Sequence, residues 1–407
     1  MLTLYGEEKE LVIPLATRSF LSSVYLNSPL NKELSDVLAF DLNNNGSTYI
    51  TDQETSDFRV DIEKMGKSFR AVVSLARKEM TKSFGPYRLS GNFASDRRVI
   101  HQFSDEVTAL VSGKAGIASS RILYALQVPE GTQWKSEIWE ADYDGKNKRQ
   151  ITREKSYCIT PTFFPCEGAF TDNKFLYVNY KNGQPKIYIS SFDKAQGTPL
   201  VSLRGNQLLP AISKKGDMMA FISDASGRAD LFVQPFNRTY GPMGKPIQAF
   251  SFPRSVQASP TFRPDGKKIA FVSDKNGTPR IFLINTPSPG RRLKPRPLCI
   301  TKKYRHNTCP SWSPDGTKLA YSAIVDGTRQ IMVYDFLTKE EIQLTAGKSH
   351  KENPSWSPNS LHIVYNTVDP SSSELFIINL KQKESLQITS GSGKKHYPAW
   401  EPIRGPE

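Results

Sequence analysis

The sequence predicts a small N-terminal α/β domain followed by an all-β, six-bladed β-propeller that the C-terminal strand closes. Three observations carry this expectation. First, a proline followed two residues later by an aromatic or aliphatic side chain recurs at Pro161, Pro210, Pro260, Pro310, Pro354 and Pro398. The separations are 49, 50, 50, 44 and 44 residues, against ~40–50 for one four-stranded blade. Second, the last copy, HYPAWEP, holds one strand only, while residues 121–152 read as a blade that lacks its first strand. Third, residues 1–112 do not repeat, and charge divides the chain at about the same place. Residues 1–120 hold 14 Lys+Arg against 15 Asp+Glu, and residues 121–407 hold 40 against 25. The expected organisation is an α/β domain over 1–112, a linker over 113–120 and the propeller over 121–407.

Leu11-Val12-Ile13 reads as a strand ending near Pro14. Asn31–Leu42 reads as a helix, because Leu34, Val37, Leu38, Asp41 and Leu42 form a stripe at helical spacing with one polar member. Asn43-Asn44-Asn45-Gly46 ends it. Phe58–Glu63 and Ser68–Leu75 alternate and flank Met65-Gly66-Lys67, which predicts a hairpin. Ser104–Val111 reads as a short helix with Ser104 as its cap, acidic residues in its first turn and Gly113 as its stop.

Each repeat then follows one grammar. The first strand ends at Phe163, Ile212, Phe262, Trp312, Trp356 or Trp400. A turn follows, Pro264-Asp265-Gly266, Pro314-Asp315-Gly316 or Pro358-Asn359-Ser360, in which Asp-Gly is expected to supply positive φ. The copies at Pro161 and Pro210 lack Asp-Gly. A second strand is Ile269–Ser273, Leu319–Ser322 or Ile363–Asn366, and a third is Ile281–Ile284, Ile331–Tyr334 or Leu375–Ile378. An outer strand ends in Ile300-Thr301, Leu344-Thr345 or Ile388-Thr389. Upstream, Ile122–Leu126, Ile138–Asp142 and Arg149–Thr152 supply strands two to four of a sixth unit. Pro398 and Trp400 complete it and close the ring, which removes the exposed sheet edge an open stack would leave.

Composition narrows the function classes. Apolar residues make up 38% and charged residues 23% of the 407, so the chain can bury cores and is not globally disordered. No stretch approaches the ~18 apolar residues of a membrane helix, and MLTLYGEEKE has no basic region leading into an apolar run, so no signal peptide is read there. The formal charge of +14 fits an acidic partner steered by the field or a basic surface kept soluble. Lysines and arginines are scattered and no nucleic-acid motif accompanies them. Cys158, Cys166, Cys299 and Cys309 lack metal or redox spacing, leaving either disulfides or buried thiols. No G-x-S-x-G elbow is present. GSGKK at 391–395 lacks the leading glycine and trailing Ser or Thr of a phosphate loop, and Asp142–Gly145 reads as a turn rather than a calcium loop.

The P-x-W-S-P-D-G-x-x-[IL]-A-[FY] blades, the terminal YPAWEP and the stretch HQFSDEVTALVSGKAGIASSRILYAL resemble the TolB family of periplasmic propeller proteins of the Tol–Pal envelope system. IPLATRSF and DVLAFDLNNNGSTYI are similar to the family's first strand and helix. The resemblance implies a non-enzymatic scaffold that binds the lipoprotein Pal through one propeller face and TolA through the N-terminal region. It implies a monomer in the periplasm that supports outer-membrane integrity and constriction in division, with no cofactor and no nucleic acid. The segment Leu2–Glu10 does not match the family's TolA-contacting stretch.

The candidate partner site is the set of loops joining one blade's outer strand to the next blade's inner strand, all on one face around the channel mouth. Asn206, Leu209, Gln257, Ala258, Arg305, His306, Asn307, His350, Lys351, Asn353 and His396 fall there, beside Tyr157 and Lys395. Polar and aromatic groups in a ring suit protein recognition. A metal site from His306, His350 and His396 is a weaker reading, since they sit on separate loops. The alternative function is a propeller enzyme, a lyase or sugar-processing protein, with its active site in the channel. Paired carboxylates or a metal triad there would mark it.

Overall fold

A computed structural model describes residues 21–75, 80–165, 173–287, 296–370, 372–381 and 384–402. The expected strand at Leu11–Ile13 and part of the first turn after Pro161 lie outside them, as does Cys166. Two compact units emerge, one reaching Gly116 and one beginning at Ile117.

The N-terminal unit is a five-stranded sheet with two helices. Strand β1 (Ser22–Asn27) runs parallel to β2 (Thr48–Ile50) and β3 (Phe58–Met65), and β3 turns back into β4 (Ser68–Leu75) and β5 (Thr81–Arg88). Helix α1 (Lys32–Asn44) makes the crossover between β1 and β2, and Asn31 caps it by accepting the Leu34 N–H at 2.9 Å. The polar member of its stripe, Asp41, is fully buried and accepts from His101 Nδ1 at 2.8 Å. Arg97 donates to His101 Nε2 at 3.2 Å, so the imidazole is neutral with its proton on Nδ1.

The short helix expected at Ser104–Val111 is corrected. Helix α2 spans Phe93–Ser112, capped by Asn92 and stopped by Gly113 at φ 67°. Ser104 is not a cap but a fully buried residue in mid-helix. The physical reason is that α2 buries Arg97, His101, Ser104 and Thr108 toward α1, where Asn45 Nδ2 donates to Thr108 Oγ1 at 2.9 Å. That polar face breaks the hydrophobic period by which a helix is read.

The second unit holds six four-stranded blades, one with an added edge segment. Blade 1 is assembled from both ends of the unit: Lys394–Trp400 pairs with Arg121–Glu130, which pairs with Gln133–Asp142 and then Arg149–Gln150. The inner strands of blades 2 to 6 are Cys158–Phe163, Gln207–Ile212, Gln257–Phe262, Arg305–Trp312 and His350–Trp356. Each ends at the aromatic or aliphatic residue the repeat predicts. Each packs on the next, and Lys394–Trp400 packs on both Cys158–Phe163 and His350–Trp356, so the ring is closed. Second-strand aromatics Tyr124, Tyr177, Phe221, Phe271, Tyr321 and Tyr365 are all fully buried between blades.

The ring closure is chemically dense. Trp400 Nε1 donates to Ser120 Oγ at 2.7 Å. Arg121 grips Glu401 with two donors, Nε at 3.0 Å and Nη2 at 2.6 Å, and Glu140 with a third. The same guanidinium lies 4.5 Å from the Phe192 ring of blade 2.

In the turns after the inner strands, the glycine alone takes positive φ, at Gly266 and Gly316, with Ser360 in the same role. The aspartates stay outside that region, contrary to expectation. They accept the N–H two residues on, as Asp265 does from Lys267 and Asp315 from Thr317. Blade 3 builds the same turn without Asp-Gly, closed by Gly216 N–H to Ser213 O.

Candidate functional site

The inner strand is the edge strand of its blade, and the recurring proline has a physical role there. In all six blades the residue before it takes left-handed backbone: Thr160, Leu209, Ser259, Cys309, Asn353 and Tyr397, with φ between 46° and 55°. The pairing register with the second strand shifts at the same place in every blade. A bulge followed by a residue without an N–H stops another strand from adding to this edge. Non-glycine residues in this conformation each cost about 1–3 kcal/mol.

The bulge also corrects the placement of the candidate residues. They were expected in loops, but all except Asn206 lie on the inner strands themselves, Leu209 and Asn353 at the bulge and the others upstream of it. The ladder resumes before the proline, so strand continues to the channel mouth. Three residues before the proline stand Cys158, Gln207, Gln257, Asn307, Lys351 and Lys395, all buried. All but Cys158 hold the interblade loops from inside. Gln207 Nε2 donates to Val201 O and Leu203 O, Asn307 Nδ2 to Tyr304 O, and Lys351 Nζ to Ser349 O. Lys395 Nζ is held by Glu374 at 2.8 Å and by Gly391 O and Gly393 O. The GSGKK loop therefore turns carbonyls onto an ammonium, the opposite polarity to a phosphate cradle, which presents N–H groups.

Gln257, Asn307 and Lys351 are thus interior. Arg305, His306 and His350 are exposed, and Asn206, Leu209, Ala258, Asn353 and His396 are half-buried. Asn206 is fixed by Asp224, which accepts its backbone N–H at 2.6 Å and its side-chain amide at 2.8 Å. His350 Nδ1 accepts the Arg329 N–H at 3.1 Å, and Arg329 pairs with Glu352 at 2.9 Å. Buried Asn366 joins two blades: its Oδ1 accepts from Asn353 Nδ2 at 2.9 Å and from the Tyr397 N–H at 3.2 Å, and its Nδ2 lies 3.3 Å from His396 Nδ1. Burial, then the neighbouring Lys394, pushes His396 down to about 4, so its ring is neutral near pH 7 and accepts this bond. Among the described residues no metal-ligating cluster contains His306, His350 or His396.

The sequence reading placed Tyr157 beside the site but missed Tyr180, Tyr397 and Cys309. Tyr157 and Tyr180 pack edge to face at 5.6 Å. Burial, then charge on Tyr157, Cys309 and Glu352, raises the Tyr397 phenol. Burial pushes the Cys309 thiol up to about 11. Aligning the six copies on the residue before the proline would have exposed this position as a set. Cys158, Cys299 and Cys309 are free thiols.

The family model for the TolB beta propeller domain matches residues 109–404. The curated "Protein TolB homolog" of Protochlamydia amoebophila is 44% identical over 380 residues, 84% of this chain and 81% of that protein. The "Protein TolB homolog" of Chlamydia caviae is 38% identical over 259 residues, 63% of this chain and 59% of the relative. Among solved structures, TolB from Acinetobacter baumannii superposes with a TM-score of 0.77 at 20% identity, covering 94% of this chain and 97% of the other. At that identity the likeness speaks for the fold.

Proposed function

The chain belongs to the TolB family, and on that premise we propose that it is a non-enzymatic periplasmic scaffold of a Tol–Pal system. In this reading the mouth face of the propeller binds a Pal-like lipoprotein, and the N-terminal region engages a TolA-like inner-membrane protein. The monomer supports outer-membrane integrity and envelope constriction. No described helix is long and apolar enough to cross a membrane.

One observation carries the choice of face. Two of the six bulged inner strands, Arg305–Trp312 and His350–Trp356, bring Arg305, His306 and His350 to the mouth as exposed side chains, while Asn307 and Lys351, three before the prolines of the same strands, hold the loops from below. Recognition groups on pre-ordered elements lose little entropy on binding. The proposed recognition set is Arg305, His306 and His350, with Asn206, Leu209, Ala258, Asn353 and His396 shaping the floor. Gln257, Asn307 and Lys351 support it from the interior.

Calorimetric titration of the full chain with the soluble domain of the lipoprotein from the same organism tests this. The combined variant Arg305→Ala, His306→Ala, His350→Ala should bind at least about tenfold more weakly, since a few exposed anchors dominate such interfaces. Unchanged affinity in a variant that melts like the parent contradicts the reading.

A further inference from the structure

We propose a second binding site, on the outer rim between blades 4 and 5, that takes a phosphate-bearing anion. A cavity of about 460 Å³ there is lined by Ile300, Lys302, Lys303, Tyr334, Lys339 and Glu341. It is separate from the mouth residues and uses none of them.

The charge balance argues for an anion. All three lysines are exposed. Among the described residues, no carboxylate lies within 4 Å of their ammonium groups. The one carboxylate in the lining is already occupied. Glu341 Oε1 accepts the backbone N–H groups of Lys302 and Lys303 at 2.7 and 2.9 Å, and Oε2 accepts the Tyr321 hydroxyl at 2.6 Å. Its charge is spread over three donors that are not ammonium groups, so it leaves the lysines unpaired.

The same bonds give the site a fixed base. Two consecutive N–H groups held by one oxygen pin the backbone from which the Lys302 and Lys303 side chains spring. The Lys303 ammonium lies 5.2 Å from the Tyr304 ring, which orients it without neutralising it. Tyr334 packs edge to face on Phe336 at 4.9 Å and offers a ring wall for whatever carries the phosphate. A phosphate group uses strong acceptor oxygens and more than one negative charge, and so matches three lysines lining one cavity better than a single carboxylate does.

The phosphate could belong to a lipid headgroup or to a soluble ester, and one experiment separates them. Inorganic pyrophosphate is titrated into the full chain and into the variant Lys302→Gln, Lys303→Gln, Lys339→Gln, with chemical shifts read on the backbone amides. Sedimentation with vesicles rich in phosphatidylglycerol, against phosphatidylcholine vesicles, is run in parallel. The expected result is pyrophosphate binding that perturbs residues 300–304 and 334–341 and weakens about tenfold or more in the variant. Lysine-dependent retention on the anionic vesicles assigns a headgroup, and pyrophosphate binding without retention assigns a soluble ester. Equal binding by the variant, shifts confined to other lysines, or no binding in either arm overturns the proposal. Glutamine keeps these side chains polar and exposed, and matching melting curves confirm that the variant is folded.

Discussion

The residue before each recurring proline is the sharpest local feature of the propeller. Six non-glycine residues adopt left-handed backbone at equivalent places, and a proline cannot simply relax the residue that precedes it. The conformation is held by the ladder on one side and by interblade packing on the other. Ser259 is the cleanest place to measure that strain, because no side-chain hydrogen bond of its own complicates the substitution. Ser259→Gly should stabilise the propeller by about 1 kcal/mol, the relief of left-handed strain less the added chain entropy. Ser259→Ala should not stabilise it. Denaturant melts of both variants decide the matter, and equal behaviour would place the strain elsewhere.

At the scale of elements, a buried threonine repeats where the outer strand runs out in four of the six blades. Thr152, Thr301, Thr345 and Thr389 accept the N–H of Ile138, Ile281, Ile331 and Leu375 at 2.8–3.1 Å. Thr389 also donates to Glu374 at 2.6 Å, the carboxylate that holds Lys395. Thr389→Val keeps the shape but strands a buried N–H and weakens the acid's shell. It should cost about 1–3 kcal/mol, with Thr389→Ser recovering most of the loss. The Ile-Thr endings were plain in the sequence as strand ends, but their bonding was not, because a hydroxyl completing a ladder leaves no periodic trace. Strand ends at Phe262, Trp312 and Trp356 were legible because alternation and turn chemistry agree there. Helix α2 was cut short for the reverse reason. Its buried face carries Arg97, His101, Ser104 and Thr108, and the partners of His101 and Thr108 lie about sixty residues away on and beside α1. The candidate residues were misplaced in loops, since a bulge followed by proline looks like the end of a strand when it is only an interruption.

At the scale of the whole propeller, one blade is built from segments about 270 residues apart. HYPAWEP supplies its inner strand, and the Arg121–Glu401 pair with the Trp400–Ser120 bond fastens it. A chain ending at Thr389 should lose the cooperative melt of the propeller and unfold at lower denaturant, because blades 2 and 6 both lose a packing neighbour. A truncated chain that melts like the parent would contradict closure. The functional claim is more directly addressed by hydrogen exchange on the full chain, with and without the lipoprotein's soluble domain. Protection is predicted at residues 252–258, 305–309, 346–353 and 391–397, and not at the turns 264–267, 314–317 and 358–361 on the opposite face. Protection of those turns, with the mouth unchanged, would contradict it.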